Sequence, residues 1–389
     1  MIAKKIQGLI NTRRCTMLGV GPMSKNCIDA AISAANENQT TLMLIASRRQ
    51  IDAESLGGGY VNNWCTHQFA DYVSARDKRG QVLICRDHGG PWQNSSEFEQ
   101  GLSARQAMRS AKESFRQDIE SGFDIIHIDT SVDPHGSPDP QLALDRLFDL
   151  YDYCWSEARR VGREVAFEIG TEEQSGSTNT PEELDNLLFK VTEFCEKQKI
   201  PKPLFVVIQT GTKVLETQNV GSFDSPVRVH GDLPSEIQIP KMIEICNRHG
   251  ILMKEHNGDY LSDHALQWHP RLGIHAANVA PEFGVTETRA LIDILEKHKL
   301  TRIADEFLQI AYESGKWKKW MLPNSSATDT EKSIIAGHYV FSKDSVNGLK
   351  SQASEVLAKK GIELEAYLQQ AVMKAINRYM VAFRLLVPR

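Results

Sequence analysis

The stretch Val82-Leu-Ile-Cys-Arg86-Asp87-His88-Gly89-Gly90-Pro91 decides the reading of the fold. Four apolar residues run without a spacer into an arginine, an aspartate, a histidine and a glycine pair. A strand of unbroken apolarity, unlike an alternating one, is covered on both faces, as in a parallel sheet flanked by helices. The same pattern recurs outward in both directions, in Thr16–Val20, Thr41–Ala46, Ile125–Asp129, Val165–Ile169, Leu204–Ile208, Ile251–Lys254 and Gly273–Ala277. Helical stretches separate them, among them Leu102 to Ser121, Pro140 to Val161 and Pro181 to Gln198. The last opens with Thr180 as N-cap before Pro181-Glu182-Glu183. Eight strands joined by segments long enough for right-handed crossovers predict an α/β protein, a closed (β/α)8 TIM barrel over residues 1–285. From there to residue 389 the pattern is helical without strands, predicting an α-helical C-terminal extension over 286–389.

Composition narrows the function. The 389 residues carry 45 Lys+Arg against 50 Asp+Glu, a net charge of −5, and lack the basic run that nucleic acid would require. No eighteen apolar residues follow one another, and the N-terminal apolar stretch is too short for a signal segment, so a cytoplasmic protein is expected, with no membrane partner. Seven cysteines without C-x-x-C spacing are expected to be reduced and buried. Gly19-Val-Gly21 is followed by Ser24 where a dinucleotide fingerprint needs its third glycine, which sets a Rossmann reading aside. Gly57-Gly58-Gly59 reads as a plain loop.

In a barrel of this kind the chemistry gathers at the C-terminal strand ends. Those ends are polar here: Ser47-Arg48-Arg49, Asp87-His88, His127 and Asp129, Glu168 followed by Glu172-Glu173, Gln209, His256-Asn257 and Asp259, and Asn278. His88, His256 and Glu168, from separate strands, are candidate ligands of one divalent metal, zinc or else manganese or cobalt. Asp87 is the candidate proton-transfer group, with Glu172 and Glu173 as alternatives. Arg48 and Arg49 suit a phosphate or carboxylate. Ser47, Asp129, Asn257, Asp259 and Asn278 complete the candidate substrate-binding set. Trp317-Lys-Lys-Trp320 reads first as a helix face or subunit contact, with sugar stacking as the alternative.

At these residues the sequence resembles the accessory-subunit family of class II tagatose-bisphosphate aldolase and, more distantly, the class II aldolases. The resemblance is carried by Leu56-Gly-Gly-Gly-Tyr60, Asp87-His-Gly-Gly-Pro91, Gly122-Phe-Asp-Ile-Ile-His-Ile-Asp129, Glu168-Ile-Gly-Thr-Glu172, Val206-Val-Ile-Gln209, His256-Asn-Gly-Asp-Tyr260 and Trp317-Lys-Lys. It implies a TIM barrel, oligomeric assembly and sugar-phosphate metabolism. It also places a proton-transfer carboxylate and a metal ligand on Asp87 and His88, a ligand on His256, and a phosphate contact on Asn278-Val-Ala280. The catalytic aldolases have a further zinc histidine after strand six, where this chain reads Gln209-Thr-Gly-Thr-Lys213. Either Gln209 or Glu168 completes the metal site, or the site has decayed and the chain assists a catalytic class II aldolase subunit.

The expected function is a metal-dependent aldolase-type lyase acting on a ketose phosphate. The alternatives are a non-catalytic stabilising subunit of a tagatose-bisphosphate aldolase and a ketose epimerase or isomerase. The apolar stretch Tyr379–Leu386 is expected to be covered by the barrel wall or by another subunit, which favours a homo-oligomer.

Overall fold

The computed structural model describes residues 2–136, 139–170, 180–223 and 234–386. Eight strands, β1 (Met17–Val20), β2 (Leu42–Ser47), β3 (Val82–Gly89), β4 (Ile125–Asp129), β5 (Ala166–Gly170), β6 (Phe205–Ile208), β7 (Leu252–Glu255) and β8 (Ala276–Val279), close into one parallel barrel. Each pairs with its neighbours in sequence, and β8 returns to β1. This is the (β/α)8 barrel, and its strands are buried on both faces, which is why their apolarity is continuous rather than alternating.

All strands but β4 are offset from the sequence reading at one end or both, and β8, β7 and β3 show why. Residues 273–277 were expected to form the eighth strand, but Gly273 takes a left-handed φ of 91° and ends the helix Asp263–Leu272, so β8 starts at Ala276. The seventh moves by one residue for the same reason, with Gly250 capping the helix Ser235–His249. β3 is longer than Val82–Cys85 and carries Arg86, Asp87 and His88 inside the sheet. Its pairing with β4 slips between Arg86 and Gly89, and His88 sits at φ 44°, which marks a bulge. Gly90 then crosses the end of β4 so closely that a Cβ there would lie 1.9 Å from the Asp129 carbonyl oxygen. Glycine is required at that crossing.

The expected boundary at residue 285 falls within the helix Pro281–Lys297. Phe283 packs into the barrel's core, while Leu291 and Leu295 belong to a second apolar cluster built by the extension. The helix Leu364–Ala382 makes the same bridge, with Leu368 in the second cluster and Val372, Ile376, Tyr379 and Met380 against the barrel. It lies on the helix Lys25–Asn38, whose buried Ala30, Ala31, Ala34 and Ala35 permit a close approach. Each fully buried large side chain contributes about 1.5–3 kcal/mol. Tyr379, Met380, Phe383 and Leu385 are therefore satisfied by the chain's own barrel, and this stretch provides no argument for an oligomer. All seven cysteines are free and buried. Among the described residues, no helix is long and apolar enough to cross a membrane.

Candidate active site

The strand ends enclose a cavity of about 560 Å³, a size suited to a small phosphorylated metabolite. At its floor, β3, β4, β5 and the turn after β7 bring together Asp87, His127, Glu168 and His256, all buried. Their facing atoms form a ring. His127 Nδ1 stands 3.6 Å from both Asp87 Oδ1 and Glu168 Oε1, and His256 Nε2 stands 3.6 Å from Asp87 Oδ1 and 3.3 Å from Glu168 Oε1. Four ligands at about 2.0–2.1 Å around a tetrahedral ion lie roughly 3.3 Å from one another, so the donor set and its spacing fit a divalent metal.

The surroundings fix the charge state of the donors. Burial opposes ionisation of Asp87, but His88, His256 and His127 outweigh it and hold the carboxyl well below the usual range. Burial opposes ionisation of Glu168 as well. Lys254 leads the groups that overcome it and bring the pKa to about 2. The Lys254 ammonium, fully buried, lies 2.6 Å from Glu168 Oε2, leaving Oε1 to face the histidines. Burial keeps His256 below the usual imidazole value, hence neutral and able to ligate. The His88 amide donates to His127 Nδ1 at 3.2 Å, and a metal taken up by the ring would compete for that lone pair. A Cβ on Gly170 would meet His127 Nε2 at 2.8 Å, which accounts for the glycine in Glu168-Ile-Gly170.

His88, read from sequence as a ligand, stands beside the four donors on the cavity wall. Adjacent residues of a regular strand face opposite ways, and the bulge is what lets Asp87 and His88 both reach the cavity. His88 Nδ1 contacts Asp129 at 2.6 Å, and although enclosure works against its charge, Asp87 and Asp129 raise its pKa to about 9. Asp129 is held in turn by Gln93 at 2.9 Å and by the Ser131 amide at 2.9 Å.

The other expected residues separate. Ser47, Arg49, Asn257, Asp259 and Asn278 line the cavity, and Asn278 Nδ2 donates to Asp87 at 3.1 Å. Asp259 accepts the amides of Ala280 and Glu282 at 3.0 and 2.8 Å, so its carboxyl caps the helix Pro281–Lys297; burial, then Glu282, pushes it up to about 8. Gln209 follows β6 and is not part of the cavity wall. Glu172 and Glu173 lie outside the described residues.

Arg48 points away from the cavity. It is fully buried, bonded to Asp52 at 3.0 Å, Glu97 at 2.6 Å and the Gly90 carbonyl at 2.8 Å, and it ties the turn after β2 to the crossing after β3. Arg48→Lys keeps the charge but loses the forked geometry, and is expected to lower stability by about 1–3 kcal/mol. Urea unfolding measures this, and an unchanged midpoint would remove Arg48 from the support of the site.

The sequence reading gave His127 no ligand role and Lys319 no place at the site, and did not single out Lys254. His127 carried a signal: in Ile125-Ile-His-Ile-Asp129 the two polar residues alternate on one face, and the register sets His127 beside Glu168. Trp317-Lys-Lys-Trp320 forms a short turn whose Lys319 and Trp320 line the cavity, in place of the expected helix face or subunit contact.

Fold and site together define a (β/α)8 barrel with a buried two-histidine, two-carboxylate cluster at its C-terminal mouth. Residues 4–193 match the family model of D-tagatose-1,6-bisphosphate aldolase subunit GatZ/KbaZ-like proteins. Among solved structures, it resembles a probable tagatose 6 phosphate kinase from Sinorhizobium meliloti at TM-score 0.69 and 18% identity, covering 94% of this chain and 100% of that one. It also resembles a fructuronate-tagaturonate epimerase from Cohnella laeviribosi at TM-score 0.60 and 11% identity, covering 98% and 86%. A fructose-bisphosphate aldolase from Campylobacter jejuni matches at TM-score 0.55 and 12% identity, covering 98% and 94%. At these identities the likeness is one of fold.

Proposed function

We propose that the chain is a divalent-metal-dependent aldolase-type lyase acting on a ketose phosphate. The observation that carries this reading is the ring of four buried donors spaced 3.3–3.6 Å apart at the floor of the cavity. Asp87, His127, Glu168 and His256 would hold the metal, with zinc, manganese or cobalt compatible with the donors. Bound there, it would supply Lewis-acid polarisation of the ketose carbonyl.

The chain's own residues do the rest. In retro-aldol cleavage a proton leaves the C4 hydroxyl, the C3–C4 bond breaks with its electron pair passing to the carbonyl half, and a proton is returned at C3. His88 faces the cavity with its ring oriented by Asp129, and exchanges a proton with substrate at Nε2. Asn278 holds Asp87 in place, and Lys254 keeps Glu168 ionised. The test is cleavage of tagatose and fructose 1,6-bisphosphates by the purified chain, stripped by chelator and reloaded with metal. Triose phosphate release supports the lyase; conversion to an isomeric ketose without cleavage would replace it with an epimerase.

A second reading has its own support. The matched family is described as an aldolase subunit, and Gln209 stands where the resemblance calls for a zinc histidine. In that reading the chain supports a catalytic partner, and cleavage would occur only after a class II aldolase is added.

A further inference from the structure

We propose that Arg49 and Lys319 form a receptor for the oxyanion terminus of the substrate, so that the C-terminal extension builds one end of the active site. The inference deepens the reading of the cavity given above and rests on it for the rest of the ligand.

The two cations come from distant parts of the chain and line the same cavity, together with Tyr60, Trp320 and Tyr339. Among the described residues neither side chain makes an ion pair or a hydrogen bond. Aromatic faces hold the lysine: Nζ lies 4.6 Å from the Trp320 ring and 5.5 Å from that of Tyr339. Tyr339 packs on Tyr60 at 4.8 Å between centroids, and Trp320 Nε1 donates to the Tyr339 hydroxyl at 3.2 Å.

Both segments are fastened. The Tyr60 amide donates to the Arg49 carbonyl at 3.2 Å, and Ser342 Oγ donates to the Tyr60 carbonyl at 2.6 Å, tying the loop after β2 to the extension. The Glu216 amide donates to the Trp320 carbonyl at 2.6 Å, tying the lysine's turn to the hairpin of Val214–Leu215 and Gln218–Asn219. Enclosure, with Arg49 and Lys316 nearby, pulls the Lys319 ammonium below the usual lysine range. Two cations held close without an anion repel each other, and a phosphate or carboxylate seated between them relieves that repulsion. The four-donor cluster takes the carbonyl end of a ligand, and this pair takes a charged end.

The test is calorimetric titration of the full chain, chelator-treated so that no turnover occurs. The probes are fructose 6-phosphate, fructose 1,6-bisphosphate, the uronate fructuronate and neutral fructose. Lys319→Met and Arg49→Met are each expected to weaken an anionic probe about tenfold, the scale of one charge-assisted hydrogen bond, and to leave fructose unchanged. Lys319→Arg is expected to restore most of the affinity. Weakening confined to the phosphates identifies a phosphate receptor, and weakening confined to the uronate a carboxylate receptor; either supports the inference. Affinities within twofold of the parent for every anionic probe, or an equal loss for fructose, would overturn it. Because binding is read without metal or catalysis, a failed cleavage assay leaves this outcome independent.

Discussion

Replacing His127 by alanine is expected to abolish stoichiometric metal retention and to lower turnover on the order of 10³-fold, the scale on which electrostatic stabilisation of a transition state is lost. The ring contributes one of four donors, and its removal opens a buried gap between Asp87 and Glu168, whose carboxylates then face each other with one imidazole fewer. His88→Ala is the contrast. It is expected to retain the metal and lose turnover, because His88 stands outside the four donors. Metal content measured beside activity separates the two. Retention of a full equivalent by the His127→Ala protein would remove His127 from the site, and loss of metal from His88→Ala would return His88 to the ligand role read from the sequence.

The second large effect concerns stability. Lys254 and Glu168 are both buried and lie 2.6 Å apart, on strands β7 and β5 that flank β6. Glu168→Gln leaves the Lys254 ammonium without its anion, and Lys254→Met leaves the carboxylate with only the two imidazoles beside it. Breaking such a pair from one side is expected to cost about 3–5 kcal/mol. The double variant, which buries no unpaired charge, is expected to recover most of that loss in the metal-free protein. Urea unfolding of the four metal-free proteins checks this. Single-variant losses below about 1 kcal/mol would mean that water reaches the pair.

Much of the barrel was legible because burial on both faces leaves an unmistakable mark in runs such as Thr41–Ala46 and Leu204–Ile208. The start of β8 was not, because Ile274 is as apolar as any strand residue, and only the left-handed Gly273 shows that the helix ends there. At the site, Asp87, Glu168 and His256 could be placed from their position at strand ends, with Asp87 read as the proton-transfer group rather than as a donor. The roles of His88 and His127 could not be separated, because a bulge after Arg86 reverses which side chains face inward and no residue type in Arg86-Asp87-His88-Gly89 announces it. Arg48 and Arg49 are identical in type and adjacent, so only the path of the turn decides that one braces Asp52 and Glu97 while the other lines the cavity. Lys319 was hidden for a different reason: its meaning depends on the extension folding back over the barrel mouth, which no local pattern encodes.

Titration of the chelator-stripped chain with cobalt(II), followed by visible absorption, tests the central claim most directly. Two imidazoles and two carboxylates at the observed spacing are expected to take up one equivalent and to give the intense d–d bands of a four-coordinate ion. These bands should be absent from the His127→Ala and His256→Ala proteins. Weak bands of a six-coordinate, water-rich ion, or no saturation at one equivalent, would contradict a metal held by Asp87, His127, Glu168 and His256.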